Sequence, residues 1–124
     1  MLPPINVLGG PLLSCSHKPP TGWFRDGCCN TDAEDLGSHT VCCQVTAPFL
    51  LFLKQIGNDL VTPRPQLGFS GLKPGDQWCV CASSWRRAYL EDKACPVVLE
   101  STHRRALEFV ALEELMAHGV AMEA

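Results

Sequence analysis

The texture of this chain changes abruptly at Thr46, and that break constrains the fold more than any other feature. Residues 1 to 45 are rich in Gly, Pro, Asn, Asp and Cys. Lys18-Pro19-Pro20-Thr21-Gly22 and Arg25-Asp26-Gly27 mark turns there, and the segment reads as a loop-rich N-terminal half. From Thr46 the pattern is helical. Thr46 is an N-cap, Pro48 fits the first turn, and Phe49, Leu50, Phe52, Leu53 and Ile56 recur at helical spacing until Gly57. Three prolines and three glycines between residues 58 and 76 predict an irregular excursion, closed by Lys73-Pro74-Gly75-Asp76 with the Pro-Gly centre of a type II turn.

Beyond the turn, Gln77 to Ala82 reads as a strand. Trp78, Val80 and Ala82 share one face, and Gln77, Cys79 and Cys81 the other. Ser83 or Ser84 caps a short helix carrying Trp85, Ala88 and Tyr89. Val97-Val98-Leu99 opens a second strand that reaches Thr102, and Leu112, Leu115 and Met116 form a last helix closed by Gly119. Residues 120–124 read as a loose tail. With 124 residues a chain buries about two thirds of its unfolded surface, so one domain spanning 1–124 is expected. The fold class is α+β: a small mixed or antiparallel sheet covered by helices.

Charge and targeting narrow the function classes. Ten Lys and Arg against thirteen Asp and Glu give a net charge of −3 without a clustered basic excess, which argues against nucleic acid and anionic membranes. The amino terminus lacks a signal-peptide pattern, and the longest apolar run, Ala47 to Leu53, is far short of the ~20 residues that span a bilayer. A cytoplasmic location is expected, with a small molecule or a protein as partner. In a reducing compartment, eight cysteines read as thiols, metal ligands or transient redox groups rather than a permanent disulfide framework.

No two of the eight are spaced as Cys-x-x-Cys. Zinc needs four ligands about 2.0–2.3 Å from one point, and His39-x-x-Cys42 is the nearest approach to ligand spacing. The metal set drawn from the sequence is therefore Cys28, Cys29, His39 and Cys42, with adjacent Cys28 and Cys29 pointing apart so that one of them joins the site. Cys15, Cys79, Cys81 and His103 are further ligands. Cys79 and Cys81 stand about 7 Å apart on a regular strand face and would chelate jointly only across a bend. A second reading makes Cys28 or Cys29 a nucleophile, its thiolate favoured by Arg25, with His39 as base and Asp26 or Asp59 as the orienting acid. The plainest reading treats the cysteines as small buried hydrophobes, and it fits Cys43 and Cys95 best. His118 reads as a cap or surface residue in the last helical turn.

Several motifs together resemble a known family. Asn6 to Leu12, Thr21 to Cys29, Gly37 to Cys42, Gly57 to Leu60 and Gly71 to Cys81 are similar to the bacterial domain of unknown function 2237 family, over almost the whole chain. The resemblance implies a small stand-alone domain and assigns no activity. It also implies that Cys15, Cys28, Cys29, His39, Cys42, Cys79, Cys81 and His103 belong to the family pattern, whereas Cys43, Cys95 and His17 do not. Ser70 and Val61 depart from the proline and serine that the pattern leads one to expect. The expected function is a Cys/His-rich binding module with a zinc-type site, or alternatively a thiol-dependent enzyme.

Overall fold

The computed structural model describes residues 3–120. Its centre is a four-stranded mixed sheet in the order β2-β1-β3-β4. Strand β1 is His39–Gln44, β2 is Gln77–Cys81, β3 is Val97–Val98 and β4 is Gly119–Val120. β1 runs antiparallel to both β2 and β3, and β3 runs parallel to β4. Helices α1 (Ala47–Gln55), α2 (Ala82–Leu90) and α3 (Leu112–Ala117) complete a single α+β domain, as the texture of the sequence implies.

The sheet sorts side chains by strand periodicity. Val41 and Cys43 of β1, Trp78 and Val80 of β2, and Val97 of β3 face the helices. They share one core with Phe49, Leu50 and Leu53 of α1, Trp85 and Ala88 of α2, and Leu115 of α3. The opposite face carries Cys42, Cys79 and Val98, which pack against Cys15 and Cys29 from the loop-rich first third. The irregular front of the chain is thus the second cover of the sheet. It needs no regular element of its own, because its turns are closed by bonds such as Gly27 N–H to the Thr21 carbonyl (3.0 Å) and Cys15 N–H to the Gly27 carbonyl (2.6 Å).

Local signals hold where they are strongest. Thr46 caps α1 through its hydroxyl, which accepts from Phe49 N–H at 3.3 Å. A Thr46→Ala variant should lose about 1 kcal/mol in urea unfolding, and an unchanged midpoint would show that packing alone holds the helix. Gly75 takes a φ of +98°, and Asp76 N–H closes the turn on the Lys73 carbonyl at 3.0 Å.

Four expectations are corrected. The central strand β1 lies in the half read as loops. Four successive residues, Thr40 to Cys43, are buried, so the polar-apolar alternation that announces a strand is missing. α2 starts at Ala82 directly off the end of β2, so its N-cap is Cys81 and not a serine. The second strand stops at Val98, where Leu99–Ser101 turns into a 3-10 segment. Val120, read as the start of a tail, pairs with Val98, and residues 121–124 lie outside the described residues. Among the described residues no helix is long and apolar enough to cross a membrane.

Candidate functional site

The candidate site stands where β1 and β2 end together. Their pairing has a bulge: His39 is the partner of Cys81, but Val41 is already the partner of Val80, which leaves Thr40 as the extra residue. The irregularity turns His39 toward Cys81 across the strand pair. Its Nε2 lies 3.4 Å from Cys81 Sγ. On the other side of the ring, Nδ1 donates to Asp35 Oδ1 at 2.6 Å.

Asp35 is buried and held from three sides. Besides the imidazole, its Oδ2 accepts from His39 N–H and from the Thr31 hydroxyl, each at 2.9 Å. Burial alone would raise this carboxyl, but the hydrogen bonds from His39 and Thr31 outweigh it and keep it below its usual value. His39 is shifted the other way, up to about 9. The Cys81 side chain at Nε2 is the largest cause, burial opposes it, and Asp35 adds to it. At neutral pH the ring is therefore an imidazolium with both N–H groups engaged.

Cys81 is half-buried and makes no capping bond to its own helix. The Ala82 N–H behind it is satisfied by the Ser38 carbonyl at 3.0 Å. The sulfur sits at the positive end of the α2 dipole, a position that favours an anion. Space around the pair is tight: a Cβ on Gly37 would lie 3.0 Å from Cys81 Sγ and 3.2 Å from His39 Cε1.

Cys81 and His39 open on a cavity of about 250 Å³, walled by Trp23, Trp78, Leu60, Asn58 and Arg25. Trp23 lies nearly parallel to the His39 ring, with centroids 6.0 Å apart and planes 17° apart. The Arg25 guanidinium sits over Trp78, 5.2 Å from the ring centroid. The cavity thus combines two indoles, one cation and one amide beside the thiol and imidazole.

The remaining cysteines fall into three groups. Cys15–Cys42 and Cys29–Cys79 are disulfides. Cys43 and Cys95 are fully buried thiols, and burial together with the contact to Cys95 pushes the Cys43 thiol well up. Cys28 is a half-buried free thiol whose pKa is raised by burial and by the Asp26 carboxylate.

These positions rearrange the set drawn from the sequence. Of Cys28, Cys29, His39 and Cys42, the structure brings together only Cys29 and Cys42, which share one buried cluster through two neighbouring disulfides, while Cys28 is a free thiol and His39 faces Cys81. Arg25 lies on Trp78 rather than on the Cys28 thiol, and Asp26 instead accepts from Cys28 N–H at 3.0 Å. Asp59 binds its own turn through Val61 N–H and the Thr62 hydroxyl. His103 caps the following 3-10 turn, accepting from Arg105 N–H at 3.0 Å, and lines a separate cavity of about 530 Å³ with Arg104 and Arg105. His17 packs its ring over Gly27, and His118 sits edge-on to Trp85 and Tyr89. Asp35 went unnoticed in the sequence; its place four residues before His39 is a signal that could have found it.

Comparison with curated proteins finds no match. A family comparison matches residues 5–119 to the family described as uncharacterized protein conserved in bacteria (DUF2237). That span takes in both disulfides and every residue of the Asp35, His39 and Cys81 cluster, and so this cysteine-rich chain belongs to the bacterial domain of unknown function 2237 family.

Proposed function

We propose that this domain is a thiol-dependent catalyst of acyl transfer in which Cys81 is the nucleophile, His39 the proton carrier and Asp35 the residue that orients the imidazole. The observation that carries this reading is the unbroken relay from Asp35 Oδ1 through the His39 ring to Cys81 Sγ, ending at a cavity. Cysteine catalysis needs a thiolate, a base within reach and a group that fixes the base, and these three side chains supply them.

The Cys81 thiolate attacks the carbonyl carbon of a bound acyl compound, forming a C–S bond. The bond to the leaving group breaks as the His39 Nε2 proton passes to that group. Water then gives its proton back to His39 while attacking the thioester, which releases a carboxylic acid and restores the thiolate. A cavity of about 250 Å³ admits a small substrate, and Arg25 and Asn58 suit an acid or amide on it. A cytoplasmic location would keep the catalytic thiol reduced, whereas the two disulfides fit an oxidising compartment.

Brief treatment with iodoacetamide at neutral pH, followed by peptide mapping, tests the assignment. Cys81 is expected to carry the label first, well ahead of Cys28, whose thiol is pushed up. Equal labelling of the two, or an unlabelled Cys81 in folded protein, would sink the proposal. Gly37→Ala is a second probe: its added methyl presses on the Cys81–His39 pair and should slow labelling several-fold while leaving the circular dichroism spectrum unchanged.

A further inference from the structure

The two disulfides are neighbours. Cys42 and Cys79 are register partners across β1 and β2, and each is reached by a loop cysteine, Cys15 or Cys29. As a result the sulfurs of Cys15, Cys29 and Cys79 all lie within 4.8 Å of one another, and Cys42 is bonded to the first of them. Four sulfurs therefore share one buried cluster, whose other member among the described residues is Val98.

We propose that Cys15, Cys29, Cys42 and Cys79, once reduced, form a tetrathiolate site for a divalent cation of the zinc class. The domain then has a two-disulfide form and a one-metal form. This site is separate from the Cys81 relay and shares no residue with it.

The backbone holds three of the four positions independently of the S–S bonds. Cys15 N–H donates to the Gly27 carbonyl at 2.6 Å, Cys79 N–H to the Thr21 hydroxyl at 2.9 Å and Cys42 N–H to the Thr102 hydroxyl at 3.2 Å. The strand register adds a further constraint on Cys42 and Cys79. Opening both disulfides thus leaves four thiols in the same apolar cluster. A tetrahedral zinc site with bonds of about 2.3 Å places its sulfurs about 3.8 Å apart, so on reduction each bonded pair, at about 2.05 Å, parts by nearly 2 Å, and Cys42 closes on the group formed by Cys15, Cys29 and Cys79. Sulfur-only ligation selects zinc over the oxygen-seeking cations.

The chemistry balances with a dithiol reductant. Two equivalents supply four electrons and four protons, the two disulfides become four thiols, and the reductant leaves as its own cyclic disulfide. The cation then displaces four protons, forms four metal–sulfur bonds and leaves a complex of net charge −2. Ligands from two loops and two strands explain why no Cys-x-x-Cys spacing marks the site.

The test uses the full chain, reduced with a dithiol under inert gas, desalted and titrated with Co²⁺, with thiols counted before and after. The expected result is about one equivalent of Co²⁺, thiolate-to-cobalt charge-transfer absorption, and four thiols per chain protected from the thiol reagent. Cys81→Ser and His39→Ala should each retain the cation, whereas the oxidised chain should bind none. Folding of the reduced chain only when the cation is added also supports the site. The proposal is overturned if the four thiols titrate equally with and without Co²⁺, if His39→Ala releases the cation, or if the reduced chain stays unfolded in its presence.

Discussion

Replacing His39 with glutamine is expected to slow alkylation of Cys81 several-fold at pH 7. The reason is geometric: His39 Nε2 stands 3.4 Å from the sulfur, and a cation beside a thiol favours the thiolate, which is the nucleophile. The effect should have a pH signature that a merely structural role lacks. His39 keeps its proton up to about 9, so the wild-type advantage holds through neutral pH and closes as pH rises through that value. Stopped-flow or mass-spectrometric alkylation rates between pH 6 and 10, for wild type and variant, give the two curves. Parallel curves would show that the imidazole does not act on the sulfur.

The same shift has a consequence for stability. The folded His39 value lies above the ordinary 6.5 of an unfolded histidine, so the folded state binds this proton more tightly. The resulting stabilisation is fully present below about pH 6.5 and is lost as pH rises through about 9. Asp35 works in the opposite sense. Its lowered carboxyl stabilises the fold above the ordinary carboxylate range and ceases to do so as acid protonates it.

The second large effect concerns the disulfides. A Cys29→Ala/Cys79→Ala double variant is expected to lose about 2–5 kcal/mol of stability, read as a lower urea midpoint. The two bridges span sequence separations of 27 and 50 residues, for which the chain-entropy model assigns about 3.5 and about 4 kcal/mol. The bridges interleave in the order 15, 29, 42, 79, so each restricts part of the chain already restricted by the other, and their effects add incompletely. Removing both cysteines of a pair avoids stranding a lone thiol in the cluster. A midpoint shift equivalent to less than about 1 kcal/mol would show that the loop-rich cover is held by its turns and not by the bridges.

These expectations also separate what could be read locally from what could not. Phe49, Leu50 and Leu53 announce α1 because a helical face repeats within a few residues, and the alternation from Gln77 to Cys81 sorts β2 because strand periodicity is equally local. β1 stayed hidden because it is buried on both faces and carries cysteines where valine or isoleucine would have signalled a strand. His39 stands out in the sequence for its chemistry, but its thiol partner lies 42 residues away. Cys28 and Cys29, close by along the chain, draw attention that the structure directs elsewhere.

The sequence by itself therefore determined the α+β class, the helix after Thr46, the two faces of β2 and the turn at Pro74-Gly75. All of these arise from steric and solvation preferences acting over a few residues. Only the tertiary structure decided the fate of each cysteine. A register places Cys42 opposite Cys79, and a single extra residue at Thr40 aims His39 at Cys81. Such contacts are chosen by the packing of the whole sheet between its helices and its loop-rich cover, and no short stretch of chain contains the information that selects them.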